Sequence, residues 1–248
     1  MTRLAAGVAL AFLSTALGAQ APGKFPPDSL INTKVFPHNT PVSEVVAAMR
    51  GFAGGLGVRC TFCHVGEEGM PLEKFDFAKD EKRPKLVARQ MMRMVQEINR
   101  RLDTIPSRTA PGLQVTCATC HRGVSRPAPL ATVISDAALA VNADSAIRAY
   151  RALRDRYYGR DAYDFSEMSL NSAALRVGRE KKFDDAFALL KLNEELYPTS
   201  SAVYVAWGNI SLIRGDTTAA AAAFREAVRR DPRNGEARGR LRDIGQSP

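Results

Sequence analysis

Cys60-Thr61-Phe62-Cys63-His64, CTFCH, returns further along the chain as CATCH at Cys117–His121. The two copies use all four cysteines and two of the three histidines. Two thiols separated by two residues can each form a thioether to a haem vinyl group while the adjacent imidazole reaches the iron, which is the spacing of c-type haem attachment. Zinc and disulfides are the competing uses of such residues. A closed zinc site wants four ligands where the two sets offer six, and a disulfide framework would not place a histidine after each pair. The pattern therefore points to two covalently attached haems, one on Cys60, Cys63 and His64 and one on Cys117, Cys120 and His121.

The rest of the composition narrows the setting. A chain of 248 residues can bury a core and is long enough for one or two domains. A formal charge of +9 suits an acidic partner or a phosphate-rich membrane surface. It does not point to nucleic acid, because no recognition motif accompanies it. The N-terminus MTRLAAGVALAFLSTALGAQAPG has one arginine, an uncharged apolar run from Leu4 to Leu17 and small residues around Ala19–Ala21. That is the layout of a secretory signal peptide, placed at 1–21, with a retained anchor as the other reading. No cysteine lies there to carry a lipid. Export to the periplasm, with association at the periplasmic face of the inner membrane, agrees with haem attachment outside the cytoplasm.

Two haem units follow one another. TPVSEVVAAMRG reads as a helix with Thr40 as its cap, Pro41 in its first turn and Gly51 as its stop. Glycine-rich FAGGLGVR then lets the chain turn back to supply the first motif. PKLVARQMMRMVQEINRRL reads as a second helix with Val87, Met91, Met94, Val95, Ile98 and Leu102 on one face and Arg89, Arg93 and Arg100 opposite. A loop at 105–113 leads to the second motif. The segment RPAPLAT, Arg126–Thr132, marks a boundary, giving a dihaem domain at 22–130 and a second domain at 131–248.

That second domain is alanine-rich and helical, and it repeats. Ala174 and Gly208, Ala186 and Ala220, Leu190 and Phe224, and Pro198 and Pro232 are each 34 apart, the tetratricopeptide period. Ala146–Tyr158 reads as part of a degenerate first repeat, and Trp207 as a core residue. The fold class expected is all-α: a dihaem cytochrome domain with few helices and long loops, then a tetratricopeptide-like domain that binds a protein ligand. Because Ser135–Pro248 contains no haem-attachment residue, a cut near Thr132 is expected to leave both haem sites intact.

A methionine opposite the histidine makes a closed, high-potential electron-transfer site. Met49 precedes the first motif, and Met91, Met92 and Met94 precede the second. The runs AAMRGFAGGLGVRCTFCH, PKLVARQMMRMVQEIN and GLQVTCATCHRG resemble the haem-bearing repeat of the photosynthetic reaction-centre cytochrome c subunit family over about Val35–Pro129. The resemblance implies His64 and His121 as proximal ligands and Met49 as the distal ligand of the first haem. It also implies Met91 as the distal ligand of the second, with Met94 or the loop histidine His38 as the other candidates. It further implies an electron carrier rather than an enzyme, taking electrons from a soluble redox partner to the photo-oxidised pigment of a membrane reaction centre. The chain carries half of the family's four haems, and the repeat domain is foreign to that family. A dihaem peroxidase and a repeat-domain scaffold or redox sensor are the alternatives from other functional classes.

Overall fold

The computed structural model describes residues 24–106 and 112–247. The signal-peptide reading at 1–21 and part of the loop at 105–113 lie outside the described residues. Among the described residues there are ten α-helices and no strand, so the fold is all-α as expected. The contacts divide the chain into two compact units, Met1–Ala53 with Arg59–Val115, and Gly54–Val58 with Thr116–Pro248. This grouping places the second motif with the helical repeats, whereas the sequence reading draws its boundary at 130/131.

The first unit holds most of α1 (Val42–Leu56) and all of α2 (Arg83–Leu102). Expected to stop at Gly51, α1 instead runs on to Leu56. A glycine inside a helix costs only about 1 kcal/mol, which a well-anchored helix tolerates. The residue that ends the helix is Gly57, with φ +65° in the left-handed region, where a side chain is strained. Proline near its start opens α2, and Arg100 and Arg101 suit the negative end of its dipole. Long loops fill the space between these helices and carry two short 3-10 turns, Cys60–Phe62 and Leu72–Lys74.

The second unit begins with the short α3 (Cys117–His121) and continues as helical hairpins. These are α4 (Leu130–Ala140) with α5 (Ala143–Tyr157), α6 (Glu167–Arg179) with α7 (Phe183–Leu196), and α8 (Ser201–Arg214) with α9 (Thr217–Arg230). The last helix is α10 (Gly235–Asp243). The N-cap residues Ser166, Ser200 and Asn234 fall at one 34-residue spacing. In the latter two the side-chain oxygen accepts the amide hydrogen three residues on, from Val203 and Ala237. The period thus extends one element further than the paired positions in the sequence suggested, to the start of α10.

Size complementarity locks these hairpins. Gly208 of α8 lies against the ring of Phe224 of α9, so closely that a Cβ there would come within 2.4 Å of it. One repeat earlier the equivalent positions are Ala174 and Leu190, both fully buried: a slightly larger helix residue paired in the period with a smaller one. Trp207 differs from the core residue expected. It packs against the core and stacks on Phe187 and Tyr204, with centroids 5.5 and 6.4 Å away, yet it is only half-buried. Its exposed side lines a cavity of about 330 Å³ with Glu194, Tyr204, Ala219, Ala222, Ala223 and Glu226.

Candidate haem-attachment sites

The first motif sits in a 3-10 turn that the backbone closes at its own ends. Cys63 and His64 both donate their amide hydrogens to the Cys60 carbonyl, at 3.2 and 2.9 Å. Immediately after it, Val65 pairs with Asp76, whose amide donates to the Val65 carbonyl at 3.0 Å. This pairing folds the loop 75–80 back behind His64. Gly66 is needed there because a side chain would strike the Phe75 ring at 2.7 Å. Phe77 then meets the His64 ring edge-on, centroid to centroid 5.0 Å, and stacks on Phe75 at 5.6 Å.

Two lysines hold this arrangement. Lys82 donates from Nζ to the carbonyl of Thr61, inside the motif itself. Lys85 is the buried residue of α2, and its Nζ donates to the carbonyls of Phe77, Ala78 and Lys79 at 2.8, 3.1 and 2.6 Å and pairs with Asp80 at 3.0 Å. A buried ammonium is tolerable only with such a full set of acceptors. Arg89 completes the cluster by pairing with the other Asp80 oxygen at 2.8 Å and donating to the Asn32 carbonyl. Burial first, and then the Lys85 charge, push the His64 imidazole down to about 4. The ring is therefore neutral through the physiological range, the form in which histidine binds a metal.

With Lys85 turned inward, the apolar stripe of α2 faces out. Leu86, Val87, Met91 and Met94 are each more than a third exposed, Met91 37% and Met94 47%, and Phe62 of the first motif is exposed as well. Covering one such side chain is worth roughly 1.5–3 kcal/mol, so this row is a surface that a flat apolar group would stabilise by lying on it. The sequence pattern placed Arg89 on the polar side of α2, but the structure buries most of its side chain against Asp80, because backbone carbonyls and one carboxylate supply partners that periodicity does not reveal.

The second motif forms the short helix α3, closed at its start by a capping box in which Thr116 and Thr119 satisfy each other's backbone amides. Arg122 and Gly123 take left-handed conformations, and Gly123 donates to the Gly55 carbonyl at 2.9 Å. A Cβ on Gly57 would come within 1.9 Å of the Gly123 carbonyl oxygen, so this close backbone approach requires glycine. His121 Nδ1 lies 2.9 Å from the carbonyl of Val124. When that nitrogen donates, Nε2 is left free as the ligand atom, the usual arrangement for a metal-bound histidine whose other nitrogen is held by a carbonyl. Val124 is 7% exposed and belongs to the core made by α4 to α8. The residue whose carbonyl engages His121 is thus packed into the core of the repeats.

The other candidates fall as follows. Cys60, Cys63, Cys117 and Cys120 are all free thiols, and burial holds the Cys63 and Cys117 thiols above the usual range. Met49 is half-buried on α1. Met49, Met91 and Met94 share the first unit with Cys60, Cys63 and His64, while Cys117, Cys120 and His121 lie in the second. His38 sits exposed in a turn, its Nδ1 3.5 Å from Thr33 Oγ1. Sequence reasoning gave no role to Lys82, just ahead of the second helix, to Lys85, within it, or to Val124, which follows the second motif without any signature of its own.

A neutral buried imidazole beside one cysteine pair and a second imidazole with its outer nitrogen engaged beside the other suit haem attachment at both motifs. In agreement with this, residues 59–150 match the family described as photosynthetic reaction centre cytochrome C subunit. The matched stretch contains both motifs, α2 and α4, and leaves Met49 outside it. That similarity supports an electron carrier with covalently bound haem and a redox partner of the kind a reaction centre provides. Among curated proteins, and among solved structures, no match was found. No described helix is long and apolar enough to cross a membrane.

Proposed function

We propose that this chain is an exported dihaem c-type cytochrome that carries single electrons between protein partners. Both CxxCH motifs lie within the family match, and this is the observation that carries the reading. One haem is held by Cys60, Cys63 and His64 and the other by Cys117, Cys120 and His121. Each supplies an iron that cycles between its ferric and ferrous forms. The protein's part is to orient the imidazoles, through Phe77 and the lysine cluster at His64 and through Val124 at His121, and to offer the apolar surface of α2. Met49 and Met91 would complete the two sites as sulfur ligands in this reading, and two haems closed in that way would make the chain a carrier and not a peroxidase.

The dihaem region is residues 22–130 and the repeats occupy 131–248. We read residues 1–21 as a signal peptide, and the mature chain as periplasmic, working at the outer face of the inner membrane with a membrane-bound redox partner of the reaction-centre kind. The 34-residue helical hairpins are tetratricopeptide-like and take a protein ligand. Their caps at Ser166, Ser200 and Asn234 support that reading.

A pyridine haemochrome assay on denatured, acid-acetone-washed protein tests the central claim, with two haems per chain expected. One haem or none overturns it. Replacing Met91 by leucine tests the ligand: loss of one haem's sulfur-to-iron absorption in the oxidised protein, with Met94→Leu leaving it in place, supports Met91.

A further inference from the structure

Lys85 is an unusual residue to find buried on the face of α2 that the fold turns inward, since the same helix leaves four large apolar side chains outside. Its surroundings are specific. Nζ is caged by three consecutive carbonyls, the first of which belongs to Phe77, and the Phe77 ring lies against His64. Lys82, one turn earlier in sequence, reaches the Thr61 carbonyl within the motif. Arg89, one turn later, shares Asp80 with Lys85. Asp76 and Glu81 are engaged by Lys79, at 3.9 and 3.4 Å. Counting Lys79, Lys82, Lys85 and Arg89 against Asp76, Asp80 and Glu81 leaves one positive charge in excess behind the imidazole.

Resting on the cytochrome reading above, we infer that the Lys82–Lys85–Arg89 cluster sets the reduction potential of the haem on His64, holding it above the value that site would have without the buried ammonium. The oxidised iron carries one more positive charge than the reduced iron. A fixed cation close to its histidine therefore disfavours the oxidised form, and the effect is large because Lys85 is screened from water by its carbonyl cage. The electron comes one at a time from a reduced partner protein, and no bond is made or broken. Lys85 is a positioning residue: it acts through Phe77 and His64 and touches neither the iron nor the porphyrin in this reading.

The charge argument predicts opposite signs for two substitutions at one ion pair, which a purely structural role does not. In spectroelectrochemical titration of the full-length protein, Lys85→Met should lower one of the two one-electron waves. The expected size is about a tenfold change in its oxidised-to-reduced ratio at fixed potential, or about 59 mV. Asp80→Asn should raise that same wave, and the other wave should stay in place in both variants. Asp80 is partly exposed, so its variant keeps the test available even where Lys85→Met does not fold. Two waves that do not move, or that move the same way in both variants, overturn the inference. A haem count below two, measured on the same samples, overturns the cytochrome reading instead, so the two failures are distinguishable.

Discussion

The side chain of Asn99 pairs twice with the backbone of Val115, donating from Nδ2 to the carbonyl at 2.9 Å and accepting the amide hydrogen at Oδ1 at 2.8 Å. It thereby occupies both polar groups of a residue two positions ahead of Cys117, and it fixes the end of α2 against the strand-like approach to the second motif. Leaving a partly buried amide and carbonyl unpaired costs about 1–3 kcal/mol. Asn99→Ala should lower the unfolding free energy by that amount in denaturant titration, and Asn99→Asp, which can accept but not donate, should recover only part of it. An unchanged midpoint for Asn99→Ala would show that water replaces both bonds.

The coupling of His121 to the repeats gives a second expectation. His121 Nδ1 is oriented by the Val124 carbonyl, and Val124 is buried among residues of α4 to α8. A chain ending near Thr132 loses that cover, so the visible spectrum of one haem should change while that of the haem on His64 stays. Val124→Ala in the full chain should produce a milder version of the same change, with a stability loss of roughly 1–2 kcal/mol for the removed methyl groups. Two unaltered low-spin spectra after truncation would restore the independence that the motif positions alone suggest.

Acid should act on the first unit through Asp80. Its carboxyl is held well below the usual carboxylate range, chiefly by the hydrogen bond from Arg89, then by those from Asn32 and Lys85. A depressed carboxylate contributes stability that is fully present above its unfolded value, near pH 4, and is lost as the pH falls below it. Unfolding free energy should therefore decline on acidification below about pH 4, and Asp80→Asn should both lower stability at neutral pH and flatten that decline. The comparison is made by denaturant titration at a series of pH values between about 5 and 2. Equal slopes for the two proteins would exclude Asp80 as the group responsible.

Much of this was legible in the chain, for identifiable reasons. The CxxCH spacing points to haem attachment because covalent geometry leaves few other uses for two such sets. The 34-residue period names a helical-hairpin array because each repeat must present a small residue to its neighbour. Met91 and Met94 were correctly placed on one face of α2. What stayed hidden was the role of Lys85, since its partners are main-chain carbonyls, and carbonyls carry no residue type. Val124 was hidden for a similar reason: a lone valine between a haem motif and a proline-containing segment shows nothing of the core it enters. The stop at Gly57 in place of Gly51 turned on which glycine has to adopt positive φ, and only the close approach of Gly123 decides that.

The pair Gly208 and Phe224 allows a test of the repeat array by exchange. Alanine at a helix-interior glycine is favoured by about 1 kcal/mol from propensity alone. Here, however, the new methyl would fall 2.4 Å from the Phe224 ring, which is fully buried and has little room to retreat. Overpacking of that kind typically costs 1–3 kcal/mol, so it outweighs the propensity gain, and Gly208→Ala should be net destabilising by up to about 2 kcal/mol. The preceding repeat already contains the compatible combination, Ala174 with Leu190. Joining Gly208→Ala to Phe224→Leu should therefore return most of the lost stability, even though Phe224→Leu alone opens a cavity and is itself destabilising. A double-mutant cycle followed by thermal unfolding measures the coupling, which should be favourable by at least about 1 kcal/mol. Strict additivity of the two substitutions would mean that α8 and α9 are not held by this contact, and the size-matching account of the repeat would fall with it.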